Sequence, residues 1–459
     1  MRVLVVGLAT TGASVVSYTR AAGHDVTVVE DQPPFDGPAL DGYRARAARA
    51  VAEGATVVEV PGAAASAEFA RAADLVVPSP GVRPDHPALV AAYAAGVPVR
   101  SEIDLAAARL RARADAPRLV AVTGTNGKTT VTTLIDAMVR AAGIASVAAG
   151  NIGRPLLDAA GDDVAVVVAE VSSFQLAFTT TAFAPDVAVL LNVAEDHLDW
   201  HGSPSAYAEA KARVFTHQDR HGLLVVNGDD AVADRLATTA PGRVIRFTAH
   251  APGPGDYGVR DGSLVGPTGV IAPRPTGAGH DVTNALAAAA AAVAVGADVP
   301  SVAKALADFD GLAHRVHLVA ERGGVRFYDD SKATNPHATA SALAGFEHVV
   351  LIAGGRNKAL DLTGLRAHAS RLRTVVAIGE ATPEVEATFA GLAPVVTATS
   401  MHDAVRAAAD AARPDDVVLL SPACASFDWY ESYAARGDDF AREVALLGAP
   451  SRCAPGGGP

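Results

Sequence analysis

Short runs of consecutive apolar residues, rich in valine, recur along the chain and are separated by helical patterns and glycine-containing turns. Such runs predict parallel strands buried on both faces, and their alternation with helices predicts an α/β fold. The runs form three blocks. The first contains RVLVVG, DVTVVE, ATVVEV and ADLVVPS; the second RLVAVTG, DVAVVVAE, PDVAVLLNV and GLLVVNG; the third VRFYDD, HVVLIAGG, TVVAIG and DVVLLSP.

The three blocks predict three domains, because each supplies enough strands for a sheet and a core of its own. We place the domains at residues 1–100, 101–313 and 314–450, and expect 451–459 to be a disordered tail. In the second block, the Pro/Gly-rich stretch 251–279 predicts loops or short antiparallel strands. The alanine-rich run from Ala285 to Val295 predicts a buried helix, too short to cross a bilayer.

Bulk composition predicts a soluble globular protein of a reducing compartment. Only 19% of the residues are charged, and the net charge of −12 argues against a general nucleic-acid binder. Two cysteines, Cys424 and Cys453, are too few for a disulfide framework, so we expect a cytoplasmic location. A signal peptide is the alternative interpretation of MRVLVVGLATTGASVV, but its glycines and strand-turn-helix pattern oppose it. We expect a monomer without membrane insertion.

Lysine is scarce: five of the 38 basic residues are lysines, and the other 33 are arginines. Arginine cannot replace a compact amine that can lose its proton, so the remaining lysines are candidates for chemistry. Lys304 lies in a helical SVAKALADF stretch and is expected to be an ordinary surface residue. The other four, Lys128, Lys211, Lys332 and Lys358, all fall in motifs.

The strongest motif is TGTNGKTT at 123–130, between an apolar strand and a helix. Its glycines let backbone N–H groups approach phosphate oxygens, Lys128 can reach the terminal phosphates, and the Thr129 hydroxyl can bind magnesium. The motif departs from the general P-loop pattern, since the first glycine of that pattern is missing. A chance glycine-rich turn is the alternative.

Three further residues of the second block each have a functional and an ordinary interpretation. Glu170 ends DVAVVVAE, where a carboxylate facing a P-loop suits magnesium, although a strand-end acid can also be a cap. His197 is either a loop ligand or a solvated side chain. Lys211, in the helical YAEAKARVF, is either an exposed lysine or a desolvated amine that reacts with CO₂ to give a metal-binding carbamate.

Asn284 and four loops of the third block complete the candidates. Asn284 is expected at the start of a helix, where its amide could read a base edge or cap the helix. DGLAHRV (310–316) carries Arg315, YDDSKATN (328–335) follows one strand, AGGRNK (353–358) follows another, and SPACASFDWYESY (421–433) begins with small residues. Three strand-end loops in one block, two of them with a rare lysine, predict a shared anionic ligand.

GLATTG at 7–12, with Glu30 about twenty residues later, resembles a dinucleotide fingerprint but lacks its middle glycine. A nicotinamide oxidoreductase is therefore a weak alternative.

Together the motifs resemble the Mur ligases, in the family's order and over nearly the whole chain. They are GTNGKTT, GNIG (150–153), AEVSSFQL, NVAEDHLDWHG, Lys211, NALAA, GLAHR, DSKATN and SPACAS. DSKATN and SPACAS are closest to the member that adds D-glutamate to UDP-N-acetylmuramoyl-L-alanine. The resemblance implies a Rossmann-like N-terminal domain for the UDP-sugar, a P-loop ATPase-like central domain and a Rossmann-like C-terminal domain for the amino acid.

The resemblance also implies roles for individual residues, with ATP and two magnesium ions as cofactors and a carbamylated Lys211. The ATP-binding residues would be Gly124, Thr125, Asn126, Gly127, Lys128, Thr129, Thr130, Asn284, Arg315 and Asp330. The UDP-substrate would contact Thr11, Ser79, Asn151 and His197. D-Glutamate would be held by Thr334, Lys358, Ser426 and Tyr433. Magnesium would be organised by Thr129, Glu170, His197 and Lys211, and the catalytic group would be Lys128, Glu170, His197, Lys211 and Lys332.

Two departures from the family pattern affect these roles. Ala9 replaces a frequent glycine, which affects the UDP contacts, and Asp281 replaces the usual asparagine beside the adenine. Two alternatives remain besides the oxidoreductase. One is another Mur or folate-type ligase, and the other is a nucleotide-binding regulator without turnover.

Overall fold

The computed structural model describes residues 1–31, 37–275, 279–358 and 360–447, and the chain forms two compact units. The first unit comprises Met1–Ala194, Trp200–Pro275 and Asp281–Phe309. The second comprises Glu195–Asp199, Gly279 with His280, and the described chain from Asp310 onward. The expected domain boundaries therefore stay predictions, and the expected tail at 451–459 lies outside the described residues.

The first block forms a four-stranded parallel sheet in the order β3-β2-β1-β4. Its strands are β1 (Arg2–Val6), β2 (Asp25–Glu30), β3 (Thr56–Glu59) and β4 (Leu75–Pro78). Its helices are α1 (Thr10–Ala21), α2 (Gly37–Ala52), α3 (Gly62–Ala72) and α4 (Pro87–Ala95), and α5 (Glu102–Arg111) follows. This is the Rossmann order, so the GLATTG loop after β1 lies where the chain changes direction across the sheet.

The second block forms a six-stranded parallel sheet in the order β10-β9-β8-β5-β7-β6. Its strands are β5 (Arg118–Thr123), β6 (Ser146–Gly150), β7 (Val166–Glu170), β8 (Val187–Leu190), β9 (Leu223–Asn227) and β10 (Arg243–Phe247). Its helices are α6 (Lys128–Ala141), α7 (Leu156–Ala159), α8 (Ser173–Leu176), α9 (Leu198–His201), α10 (Pro204–Thr216), α11 (Ala231–Ala237), α12 (Gly279–Ala294) and α13 (Val299–Ala307). The chain passes from β7 on one side of β5 to β8 on the other, so the loop after β5 lies at a switch point.

A small antiparallel sheet accounts for the Pro/Gly-rich stretch. It consists of β11 (Gly258–Arg260), β12 (Ser263–Gly266) and β13 (Gly269–Pro273), as the sequence predicted. The alanine-rich run lies in α12, whose alanines from Ala285 to Ala292 are almost fully buried. No helix among the described residues has both the length and the apolar character needed to span a membrane.

The third block forms a six-stranded mixed sheet in the order β14-β15-β19-β16-β17-β18, in which only β14 is antiparallel. Its strands are β14 (His317–Arg322), β15 (Val325–Asp329), β16 (Val349–Gly354), β17 (Leu372–Ile378), β18 (Val395–Ala398) and β19 (Val417–Ala423). Its helices are α14 (Pro336–Leu343), α15 (Thr382–Phe389), α16 (Met401–Ala411) and α17 (Tyr433–Leu446), with a 3₁₀ helix at Thr363–Arg371. The predicted α/β class is confirmed.

Candidate active site

The glycine loop between β5 and α6 is held by backbone and side-chain bonds from the strand beside it. Thr125 N and Asn126 N donate to the backbone carbonyl and the side-chain oxygen of Asn192, at 2.9 and 2.8 Å. Lys128 Nζ donates to the carbonyl oxygens of Gly124 and Thr125, both at 2.9 Å. The loop therefore places a lysine ammonium and the start of α6 at one point, as phosphate binding requires.

Lys211, a residue of α10, packs against this loop and is not an exposed helix lysine. Its side chain is 1% exposed, and its Nζ donates to Gly124 O at 2.8 Å. The ammonium also lies 4.4 Å from the centre of the Tyr207 ring, a cation–π contact. The Tyr207 hydroxyl lies 3.2 Å from Thr125 Oγ1. The ordinary interpretation of Lys211 as a solvated side chain is wrong, because tertiary packing buries this face of α10.

Glu170, the last residue of β7, is a buried carboxylate with one oxygen bound by the protein. Its Oε1 accepts a hydrogen bond of 2.8 Å from Asn151 Nδ2, and Asn151 N donates to Glu170 O at 2.8 Å. Its Oε2 is buried and has no hydrogen-bond partner among the residues that the structure describes. An unpartnered carboxylate oxygen in the interior is costly, so this atom fits a cation ligand.

Asn284 lies inside α12, five residues after its start, so the predicted position at the start of the helix is wrong and capping is excluded. The side chain is buried, and its Nδ2 has no partner within the described chain. Gly127 adopts φ +88°, and a Cβ added there would lie 2.6 Å from Asn284 Oδ1. The amide therefore packs directly against the glycine loop.

If the glycine loop binds the nucleotide as predicted, Gly127→Ala should raise the KM for ATP by roughly 10-fold or more, because a positive φ and a close contact together cost about 1–3 kcal/mol. Steady-state kinetics with varied ATP measures the change. The matched control is Gly143→Ala, where φ is +74° but no atom lies within 4 Å of the added Cβ. Equal ATP KM values for the two variants would contradict a nucleotide-binding role for the loop.

The loop after β1 is closed by Ser79, which follows β4. Ser79 Oγ donates to Gly7 O at 2.8 Å, and a Cβ on Gly12 would lie 2.2 Å from the same oxygen. Thr11 lies in the first turn of α1. Ser79 thus holds the loop on which Thr11 lies, and its predicted contact with the UDP-substrate stays a prediction.

Asp330 is fully buried at the end of β15, in the second unit. Burial raises the pKa of Asp330 to about 7. The hydrogen bond from the Ser421 hydroxyl and the charge of Arg315 lower this pKa but do not offset the effect of burial. Ser421 Oγ donates to Asp330 Oδ2 at 2.8 Å. Lys332, two residues later, lies 5.6 Å from the centre of the Tyr433 ring. Two predicted ligand residues, Lys332 and Tyr433, are therefore neighbours.

Asp196 links His197 to two loops of the third sheet. Its Oδ1 accepts a 2.9 Å hydrogen bond from His197 N and lies 4.0 Å from Lys358 Nζ. Its Oδ2 accepts a 3.1 Å hydrogen bond from Asn335 Nδ2, while Asn335 Oδ1 caps α14 through Ala338 N. Both residues lie in motifs that the sequence reveals, but no local pattern predicted a role for Asp196 or Asn335.

Arg436, on α17, connects the loop after β15 to the loop after β19. Its side chain is 1% exposed, and it donates to Ser331 Oγ, Ser331 O and Cys424 O at 2.9, 2.8 and 3.1 Å. Burial lowers its pKa to about 10. No motif in the sequence singled out Arg436. It anchors the loops that carry Lys332 and the buried Ser426.

The predicted site residues are divided between the two units of the structure. The first unit holds the glycine loop with Asn151, Glu170, Lys211 and Asn284, and also Thr11 and Ser79. The second unit holds His197, Arg315, Asp330, Lys332, Thr334, Lys358, Ser426 and Tyr433. Among the described residues, no three or more His, Cys, Asp or Glu side chains form a metal site. The predicted magnesium set contains only two residues of these types, and its other ligands are the Thr129 hydroxyl and a carbamate on Lys211.

Comparisons with known proteins cover nearly the entire chain. Residues 1–101 match the Mur ligase MurD-like N-terminal domain, 122–292 the Mur ligase middle domain, and 314–424 the Mur ligase glutamate ligase domain. The UDP-N-acetylmuramoylalanine–D-glutamate ligase of Frankia casuarinae is 44% identical over 96% of this chain and 93% of its own. The protein of the same name from Thermobifida fusca is 40% identical over 97% of this chain and 98% of its own.

The fold also matches solved structures of the family. MurF from Acinetobacter baumannii has a TM-score of 0.61 and 18% identity, over 96% of this chain and 93% of that chain. Identity this low supports the fold alone. The relatives at 40% or more, covering over nine-tenths of both chains, establish that the chain belongs to the Mur ligase family.

Proposed function

We propose that this chain joins D-glutamate to UDP-N-acetylmuramoyl-L-alanine through an amide bond, with conversion of ATP to ADP and phosphate. The observation that carries the proposal is the glycine loop at the switch point of the central sheet. Two rare lysines converge there on Gly124 O, and α6 begins beside them. The full-length relatives named UDP-N-acetylmuramoylalanine–D-glutamate ligase support this choice of substrates.

We assign the substrates to three sets of residues. ATP is bound by residues 124–130 with Asn284, Arg315 and Asp330. The UDP-sugar substrate contacts Thr11, Ser79, Asn151 and His197. D-Glutamate is bound by Thr334, Lys358, Ser426 and Tyr433. The matches of residues 1–101, 122–292 and 314–424 to three Mur ligase domain models support these assignments.

Amide formation needs an activated carboxyl group, because a carboxylate is a poor electrophile. The substrate carboxylate attacks the γ-phosphorus of ATP, ADP leaves, and an acyl phosphate forms. The amine of D-glutamate then attacks the acyl carbon, loses a proton, and the tetrahedral intermediate expels phosphate. Catalysis of both steps consists mainly of positioning and charge neutralisation.

The residues of the chain divide this work. Lys128 neutralises charge on the terminal phosphates, and Lys332 faces the phosphate under transfer. Magnesium, when bound by Thr129, Glu170, His197 and a carbamate on Lys211, supplies further neutralisation. The carbamate forms when neutral Lys211 Nζ bonds to the carbon of CO₂ and loses a proton. Its burial supports this reaction, because a low dielectric favours the neutral amine.

Phosphate release tests the proposed function. The purified chain is incubated with ATP, magnesium and UDP-N-acetylmuramoyl-L-alanine, and phosphate is measured with D-glutamate, with L-glutamate or without an amino acid. We expect release only with D-glutamate. Release with a different amino acid or acceptor indicates another Mur or folate-type ligase, and ATP binding without release under any condition indicates a regulator.

Lys358→Ala should raise the KM for D-glutamate by about 10- to 100-fold, since a charge-assisted hydrogen bond to a carboxylate contributes about 1.5–3 kcal/mol. The KM for ATP should change less than twofold. Lys304→Ala is the matched control, because Lys304 is exposed on α13 and forms an ion pair with Asp308 one helical turn away. Equal increases in the KM values for ATP and D-glutamate would contradict the assignment of Lys358.

A further inference from the structure

Helix α5, which leads from the first sheet to the central sheet, carries a buried carboxyl group that the mechanism above does not use. Glu102 is 1% exposed, and its Oε1 accepts a 2.5 Å hydrogen bond from Leu157 N in α7. Its Oε2 is buried and lacks a hydrogen-bond partner in the described ranges. Burial raises the pKa of Glu102 to about 7. The nearby Asp158 carboxylate raises this pKa further, whereas the Leu157 and Leu156 backbone amides lower it. A buried carboxyl oxygen without a hydrogen bond destabilises the fold, so the contact of Glu102 with α7 requires an explanation.

The short helix α7 depends on side chains from other helices. It has only four residues, and Pro155 at its start provides no side-chain cap. From α5, Glu102 accepts from the amide of Leu157, while Arg109 Nη1 donates to the carbonyl of the same residue at 2.9 Å. From α1, Ser14 Oγ donates to Asp158 Oδ1 at 2.5 Å. Because four residues cannot form a stable helix alone, these bonds hold α7 in place together with the buried side chains of Leu156 and Leu157.

The loop before α7 leads directly to the candidate metal carboxylate. Gly150 N donates to Arg154 O at 2.9 Å, which closes the turn that joins β6 to α7. Asn151 lies in this turn, and its Nδ2 donates to Glu170 Oε1 at 2.8 Å. The Asn151 bond leaves only Oε2 of Glu170 without a donor. Displacement of α7 would therefore strain this turn and weaken the bond from Asn151 Nδ2 to Glu170 Oε1, while Asn151 N stays bonded to Glu170 O.

We propose that Glu102 is a positioning residue for Glu170, acting through α7 and Asn151 to hold the carboxylate in the orientation that binds the divalent cation. The inference rests on the proposed function, since it takes Glu170 as a metal ligand. Glu102 touches neither the metal nor a substrate. Glu102 Oε1 holds α7 through Leu157 N, and the turn before α7 holds Asn151, which bonds to Glu170.

Three variants at this position separate the hydrogen bond from the volume of the side chain. Glu102→Gln keeps an acceptor oxygen for Leu157 N, whereas Glu102→Ala and the nearly volume-conserving Glu102→Leu remove it. The matched control is Asp298→Ala, because Asp298 accepts from Ser301 N at 2.8 Å and caps α13. This control removes a carboxylate cap from a helix that carries no predicted site residue.

Binding of Mn²⁺ in the presence of ADP, measured by electron paramagnetic resonance, reports the metal site without turnover. We expect the Kd for Mn²⁺ to rise by about 10-fold in Glu102→Leu and Glu102→Ala, the lower end of effects seen when a residue supporting a metal ligand is removed. Glu102→Gln and Asp298→Ala should stay within about twofold of the unsubstituted protein. If Glu102→Ala does not fold, Glu102→Leu provides the comparison.

Kinetics distinguish positioning from general destabilisation. We expect Glu102→Leu to raise the Mg²⁺ concentration for half-maximal rate by the same factor, with the KM for D-glutamate unchanged. A lower melting temperature with unaltered Mn²⁺ affinity would overturn the inference, and so would an equal loss of affinity in Glu102→Gln. Failure of the proposed function itself would be visible separately, as an unsubstituted protein that releases no phosphate with D-glutamate.

Discussion

Lys211→Ala should lower kcat by about 10²–10³-fold, the range observed when one preorganised charge-stabilising group is removed from an active site. The effect should be this large because Lys211 is buried against the glycine loop and serves, as a carbamate, to bring oxygen ligands to magnesium. The carbamate contributes only oxygens, so an added small carboxylate such as formate should enter the space left by the side chain and partly restore the rate. Phosphate release with and without formate measures both effects.

Two controls make the Lys211 experiment decisive. Lys304→Ala should keep full activity and show no response to formate. Thermal unfolding of Lys211→Ala shows whether the loss of the bond to Gly124 O has unfolded the protein. A separate readout is the carbamate signal in ¹³C NMR with ¹³C-labelled CO₂, expected in the unsubstituted protein and absent in the variant. Full activity of a folded Lys211→Ala would exclude the carbamate role.

Much of the fold was predictable because parallel strands buried on both faces require nearly continuous apolar runs. The valine-rich strands β1, β2, β7 and β8 follow this rule. The strands that the sequence did not reveal follow it less well. In β6, Ser146–Gly150 is rich in alanine and glycine, and β18 is a half-exposed edge strand. In β14, HLVAER is antiparallel and largely exposed, so its polar residues concealed it.

The candidate site was predictable where a motif determines local geometry, and less so where side chains meet across the fold. The glycine loop and Glu170 lie at strand ends as the sequence predicted. The burial of Lys211 depends on Gly124, 87 residues earlier, so the helical pattern alone left both interpretations open. Asn284 was misplaced because the helix begins earlier, at Gly279.

Long-range contacts explain the residues that the sequence missed. Arg436 binds Ser331, 105 residues away, and Asn335 binds Asp196, 139 residues away. Neither pair is visible in any local pattern, because each forms only when separate strand ends meet. The scarcity of lysine was the more useful signal. Of the four lysines in motifs, Lys128 and Lys211 share one carbonyl oxygen, and Lys332 and Lys358 lie in the loops that Arg436 and Asp196 hold.

Glu170→Gln should lower kcat by about 10²–10³-fold, because the neutral amide removes a charged magnesium ligand from a preorganised site. Without nucleotide the variant should be as stable as the unsubstituted protein or more stable. The reason is that Glu170 Oε2 is buried without a partner in the described chain, and a neutral group costs less to bury than a carboxylate. The added stability that MgATP gives should be reduced. Thermal unfolding with and without MgATP, together with phosphate release, measures all three quantities.

Because Glu170→Gln should lower kcat without lowering the stability of the nucleotide-free protein, the two measurements together test the metal-ligand role more strictly than activity alone. Loss of a purely structural carboxylate would lower the melting temperature and the activity together. Loss of a metal ligand lowers activity and the MgATP response while the nucleotide-free protein keeps its melting temperature. Glu209→Gln is the matched control, because Glu209 is exposed on α10 and accepts a hydrogen bond from Ser205 Oγ on the same helix. A Glu170→Gln protein that is destabilised without nucleotide yet retains its full MgATP response would show that this carboxylate supports the fold rather than the cation.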